Sequence, residues 1–262
     1  MRNEVKIGFV GFGNMARAMA KGLLEMDVCQ GNQIFACAGH YDQLQKNAEL
    51  LGVQAVRTAA EVVEKSDYVI LAVKPNMIEP VVEPIVDLLQ KKVVISVAAG
   101  FDFERYEKIL KTGTHHISTV PNTPISVGEG IMVCEDRHSL SPMELEDFVR
   151  IFSNVALVEM VKPEQLSIAG TLSGCSPAFT AMYLEALADA GVKHGLTRDA
   201  AYRMAAKMIC GTGKLYLENE NHPGVMKDAV CSPGGTTIRG VASLEKDGFR
   251  GAVIGAIDAI EG

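Results

Sequence analysis

The chain opens on a strand that runs straight into a glycine turn, and this feature limits the fold more than any other. Val5 to Val10 is a short apolar run. Gly11-Phe12-Gly13-Asn14-Met15-Ala16 follows, and Met15 to Met26 then carries apolar residues at helical spacing. Gly11 permits a tight turn, Gly13 lets a pyrophosphate approach the backbone, and Ala16 keeps the helix close to the strand. The helix N-terminus faces the anion, where unpaired amides favour negative charge. Gly8, Gly11, Phe12, Gly13, Asn14 and Met15 are therefore candidate dinucleotide-binding residues.

The same alternation continues through the first half of the chain. Strand-like runs recur at Gln33 to Ala38, Tyr68 to Val73 and Val93 to Ala98, with shorter ones at His116 to Val120, Ile131 to Cys134 and Val155 to Met160. Strands apolar on both faces that alternate with helices imply a mostly parallel, doubly wound α/β sheet. Near residue 160 the β-branched runs stop. Ala178 to Gly191, Arg198 to Leu217 and Gly248 to Ile260 then show helical spacing, and Thr197 with Asp199 marks a helix start. The expected division is an α/β domain over 1–160 and an all-helical domain over 161–262.

With 262 residues, 48% of them hydrophobic, the chain buries a sizeable core. The balance of 25 Lys and Arg against 32 Asp and Glu gives a net charge of −7, which argues against nucleic acid held by bulk charge. No apolar run is long enough to span a membrane, and the N-terminus does not read as a signal peptide, so a cytoplasmic protein is expected. The six cysteines form no C-x-x-C pair and sit at no metal-ligand spacing; most are expected to be buried, reduced thiols, with no metal site.

In a doubly wound sheet, strand C-termini point into the ligand crevice. After the second strand comes Ala38-Gly39-His40-Tyr41, with Asp42 only further on. No acid there repels a 2′-phosphate and no arginine clamps one; His40 and the Gly39 amide are the candidates, and the expectation leans to NADPH with NADH as the alternative. Ala72-Val73-Lys74-Pro75 ends another strand, with Lys74 placed to hold ribose or substrate polar atoms. Ala98-Ala99-Gly100 and Pro121-Asn122-Thr123-Pro124 end two more, with small residues that let a flat nicotinamide lie against the backbone. In the helical half, Ser232-Pro233-Gly234-Gly235-Thr236-Thr237 precedes the helix Ile238 to Lys246. Successive backbone amides at a helix N-terminus, with two hydroxyls, make a site for a small carboxylate.

These segments, together with Ser173-Gly174, Pro177-Ala178 and Glu185 through Lys193, resemble the pyrroline-5-carboxylate reductase family over essentially the whole chain. The resemblance implies an N-terminal Rossmann domain, a helical domain that interlocks with another subunit as a homodimer or larger homo-oligomer, and reduction of a cyclic imine by NADPH or NADH in the last step of proline biosynthesis. It implies that Gly234, Gly235, Thr236 and Thr237 bind the substrate carboxylate and that the Thr237 hydroxyl aligns the ring nitrogen. Thr237 and Lys74 are thus the candidate catalytic residues, and Ala72, Val73, Lys74, Pro75, Ala98 and Ala99 join the cofactor set. Two departures stand out: Ser118 replaces the usual arginine three residues before Pro121, and Cys175-Ser176 departs from the usual Ser-Gly pair. A β-hydroxyacid dehydrogenase shares the glycine motif but needs a lysine in the interdomain helix, and none lies between Lys162 and Lys193. A non-catalytic nucleotide-binding paralogue is the other alternative, which Ser118 leaves open.

Overall fold

The computed structural model describes residues 5–262. The chain divides into two compact units, one ending at Gly174 and one running from Cys175 to Gly262. The first unit is built on an eight-stranded sheet of β1 Ile7–Val10, β2 Ile34–Cys37, β3 Gln54–Ala55, β4 Tyr68–Leu71, β5 Val93–Ser96, β6 His115–Pro121, β7 Gly130–Glu135 and β8 Ala156–Val161. Their spatial order is β3-β2-β1-β4-β5-β6-β7-β8. Every neighbouring pair is parallel except β6 and β7.

The buried character of the central strands follows from helices on both sides. β1, β4 and β5 are buried at every position, as strands covered on two faces must be. Around them run α1 Asn14–Glu25, α2 Tyr41–Leu51, α3 Ala59–Lys65, α4 Ile78–Val82, α5 Val86–Leu89, α6 Phe103–Ile109, α7 Pro142–Phe152 and α8 Leu166–Gly174. Side chains alternate along each strand, so the sheet separates two cores. Phe9, Ile70, Ile95 and Ile117 meet Met19 and Leu23 of α1 with Phe148 and Phe152 of α7. Val69, Leu71 and Val94 meet Val62 and Val63 of α3, Ile78 of α4, Leu89 of α5 and Tyr106 of α6. This is the Rossmann-type doubly wound sheet that the alternation implies.

Two features depart from the sequence reading. The edge strand β3 has no counterpart in the sequence pattern, because two residues carry no period. The break between compact units falls after Gly174 rather than after residue 160: α8 packs on β6 and β7. α8 lies over Val120 at Gly170, where an added Cβ would make van der Waals contact with Cγ1 at 3.4 Å. Composition groups α8 with the helices that follow it, whereas packing joins it to the sheet.

The second unit contains α9 Ser176–Lys193, α10 Arg198–Asn219, α11 Pro223–Ala229, α12 Thr236–Lys246 and α13 Phe249–Glu261. Thr197 caps α10 by accepting a hydrogen bond from the Ala200 amide. α9 and α10 pack closely, with Ala201 and Leu196 filling the space beside Gly191. Within this unit only Ala188, Ala201 and Ala205 are buried apolar residues, while Met182, Met204, Leu217, Val225, Val230 and Ile254 are exposed in the single chain. No helix among the described residues is long and apolar enough to cross a membrane.

Candidate active site

The strand order reverses at β1 and β4, and the crevice of such a sheet lies beyond the C-terminal ends of those strands. Val10, Leu71 and Ser96 stand side by side in the register of β1, β4 and β5. The segments that follow therefore leave the sheet at one level. The Gly11 amide donates to the Cys37 carbonyl oxygen at 3.0 Å, and the Ala72 amide donates to the Val10 carbonyl oxygen at 2.8 Å. Gly11 has φ +94°, and a Cβ there would lie 2.5 Å from the Ala72 oxygen and 2.8 Å from Val73 Cγ1. Only glycine meets both demands.

Gly13 differs. Its φ of −79° suits any residue, yet no atom lies within 4 Å of where its Cβ would be. It is the N-cap of α1, whose first turn has no side-chain cap and no acidic residue. Unfilled space in front of uncapped helix amides fits a diphosphate, with the positive end of the helix dipole facing the anion.

The sequence-derived set is not uniform around this cradle. Gly8 lies buried inside β1, where a Cβ would collide with Ser66 Oγ and come within 2.5 Å of Val62 Cγ1; its close approach is to α3 and its surroundings. Phe12 is buried in the core, edge-on to Phe9 with ring centres 5.8 Å apart, and half-buried Met15 packs against the same core. Asn14 is exposed, and its Oδ1 accepts from Arg17 Nη2. Ala72 and Val73 are half-buried, Lys74 and Pro75 exposed at the crevice level, and Ala98 is buried in the core beneath while Ala99 is exposed.

Asn122, from the fourth strand-end segment, is a structural clamp. Its Nδ2 donates to the Ser173 carbonyl oxygen at 3.0 Å, and its Oδ1 accepts from the Ile131 amide at 2.8 Å. It ties α8 to the end of β6. Ser118 is 1% exposed within β6, beside Ser96, and its hydroxyl has no hydrogen-bond partner among the described residues. At the end of β2, His40 caps α2 through backbone alone. Arg57 lies outside the sequence-derived set, and its Cζ is 4.2 Å from the ring centre of Tyr41, the first residue of α2. The missing signal was spatial: Arg57 follows a strand too short to recognise.

In the second unit the Ser232–Thr237 segment forms a tight turn. Gly234 has φ +69°, and the Gly235 amide donates to the Ser232 carbonyl oxygen at 3.0 Å. Gly235 is the N-cap of α12, which has no side-chain cap and no acid in its first turn. Thr236 and Thr237 are exposed there. The turn thus has the features of an anion nest.

All six cysteines are free thiols; Cys29, Cys37 and Cys134 are buried, Cys175 and Cys231 half-buried and Cys210 exposed. Burial pushes the Cys29 thiol up to about 11, so it is an inert apolar group at neutral pH. Among the described residues no cluster of His, Cys, Asp or Glu is arranged to hold a metal ion.

Residues 163–261 match the family model described as pyrroline-5-carboxylate reductase dimerisation, and residues 6–100 match one described as NADP oxidoreductase, coenzyme F420-dependent. The pyrroline-5-carboxylate reductase of Treponema pallidum is 43% identical, with 97% of this chain and 98% of the relative covered. That of Escherichia coli is 36% identical over 97% of this chain and 95% of its own length. The crystal structure of Plasmodium falciparum pyrroline carboxylate reductase with NADP bound is 27% identical and superposes with a TM-score of 0.86, covering 98% of this chain and 96% of that one. The Coxiella burnetii enzyme, at 31% identity over the same shares, gives a TM-score of 0.86. With relatives this similar along nearly its full length, the chain belongs to the pyrroline-5-carboxylate reductase family.

Proposed function

We propose that the chain reduces (S)-1-pyrroline-5-carboxylate to L-proline, with NADPH accepted at least as well as NADH. The observation that carries this reading is the uncapped turn at Ser232–Thr237, a carboxylate nest in a chain whose other unit offers a dinucleotide cradle. The nucleotide supplies a hydride from nicotinamide C4 to the imine carbon. Everything else falls to the protein. The Gly13 turn and the first amides of α1 hold the diphosphate. The backbone of Ala72 to Pro75 and of Ala98 and Ala99 bounds the crevice, with the Lys74 ammonium at the same level. The Gly234 to Thr237 amides hold the carboxylate and fix the ring, and the Thr237 hydroxyl hydrogen-bonds the ring nitrogen. Orientation of two reactants into a near-attack arrangement supplies much of the rate. The nitrogen gains its proton from its own iminium form or from water, since no histidine or carboxylate stands in either turn.

The exposed apolar residues of α9 to α13 call for a covering surface, and the reading places a second copy there, as a homodimer or larger homo-oligomer in the cytoplasm. Sedimentation at micromolar concentration tests this: a stable folded monomer contradicts it. A β-hydroxyacid dehydrogenase mechanism finds no lysine in α8, and the lysine of α9 is its last residue, Lys193. Turnover of pyrroline-5-carboxylate, followed by loss of reduced nicotinamide absorbance and appearance of proline, separates an enzyme from a nucleotide-binding paralogue.

A further inference from the structure

The reaction itself does not choose between a nicotinamide nucleotide with a 2′-phosphate and one without. That choice is made where the adenosine ribose lies, at the C-terminal end of the second strand. The following inference rests on the reading that a dinucleotide occupies the β1–α1 turn.

In the register of β2 and β3, Phe35 faces Gln54 and Ala36 faces Ala55. The Val56 amide continues the ladder by donating to the Ala36 carbonyl oxygen at 2.9 Å. Arg57 is therefore the next residue outward, level with the end of β2 where Ala38 and Gly39 lead into α2. Its guanidinium lies over the Tyr41 ring, 4.2 Å from the centre, a cation–π arrangement that braces the planar group. Arg57 is exposed and, among the described residues, has no ion-pair partner. Beside it, Gly39 has no atom within 4 Å of its would-be Cβ, which leaves open space.

We propose that Arg57, held on Tyr41 at the end of the edge strand, recognises the 2′-phosphate of NADPH. A guanidinium offers paired donors matched to a phosphate, and stacking fixes their plane beforehand. Glu61 follows Arg57 by four residues, and Asp42 directly follows Tyr41. Glu61 is engaged by Thr58, which donates to its Oε1 at 3.1 Å and accepts from its amide at 3.2 Å in capping α3. Asp42 is exposed in the first turn of α2 and is the rival: if it binds ribose hydroxyls, the site favours NADH.

Calorimetric titration of the full chain with NADPH, NADH, adenosine 2′,5′-bisphosphate and ADP tests the assignment without any turnover. Arg57→Ala should weaken NADPH and adenosine 2′,5′-bisphosphate by about ten- to a hundredfold, the range of a charge-assisted pair, and shift NADH and ADP by less than about twofold. Arg57→Lys should fall between, because an ammonium keeps the charge and loses the fork. Rising salt should erode the preference of the wild type and not that of Arg57→Ala. An unchanged NADPH to NADH ratio in Arg57→Ala, or equal weakening of both, overturns the proposal. So does Asp42→Asn weakening NADH while Arg57→Ala alters nothing. If pyrroline-5-carboxylate is not turned over but the ratio depends on Arg57, the substrate reading fails and this one stands.

Discussion

Gly11 and Ala72 approach so closely that one methyl group has no place between them: a Cβ on Gly11 would sit 2.5 Å from the Ala72 carbonyl oxygen. The contact joins the first turn of the chain to the end of β4, and with it sets the relative height of the segments that border the crevice. Gly13, two residues on, touches nothing at the same position. Gly11 thus has a demonstrable packing role, whereas Gly13 has none, and the proposed role of Gly13 is to admit the diphosphate.

Substitution should separate them in the same way. Gly11→Ala places a side chain at φ +94° and against backbone, and should cost about 2 kcal/mol or more of stability. Gly13→Val should cost only the N-cap preference of glycine over valine, about 1 kcal/mol, and weaken NADPH by at least about tenfold, a loss of about 1.4 kcal/mol. Denaturant melts beside nucleotide titrations distinguish the two.

Gly8 belongs with Gly11 rather than Gly13. Its missing side chain makes room for Val62 and Ser66, so Gly8→Ala should destabilise by about 1–3 kcal/mol through overpacking. The fraction that remains folded should bind NADPH with wild-type affinity. A selective loss of nucleotide binding at full stability would return Gly8 to the cofactor site.

The Thr237 hydroxyl caps no helix, since α12 has Gly235 as its N-cap and no side-chain cap. Thr237→Ala should therefore leave the melting temperature and NADPH affinity close to wild type. It should lower kcat/KM for pyrroline-5-carboxylate by about ten- to a thousandfold, the scale of one oriented donor in a transition state. Normal kcat/KM in that variant would remove Thr237 from the mechanism.

Stability should also fall in mild acid. His116 is buried, stacked on Phe103 at 4.5 Å, with Nε2 on Glu107 and Nδ1 without a partner among the described residues. Burial lowers its pKa below the ordinary 6.5, against the opposing effect of Glu107. The folded state thus binds the proton less readily than the unfolded chain. Its contribution is complete above 6.5 and is lost as pH falls from there through the lower folded value. His116→Gln should flatten that part of the profile in equilibrium denaturation.

Much of this was legible in the chain because two periods do not overlap. Apolar runs at Tyr68 to Val73 and Val93 to Ala98 are too short and too β-branched for helices, and the structure places β4 and β5 within them. Helix starts at Thr197 and at the Gly235 turn carry their own local chemistry. What escaped was set by neighbours distant in sequence. Gly8 and Gly13 look alike as residues, and only the presence of α3 beside one and open space beside the other tells them apart. α8 shares its composition with the later helices and is tied to the sheet by Asn122. Arg57 acquires its place from a pairing of two residues on each strand.

Imine reduction is decided by one assay: purified chain, (S)-1-pyrroline-5-carboxylate and NADPH or NADH, with nucleotide oxidation and proline formation followed together. Stoichiometric proline is expected with either nucleotide, NADPH serving at least as well as NADH. Tight NADPH binding with no proline formed would contradict imine reduction and leave a nucleotide-binding protein without this reaction.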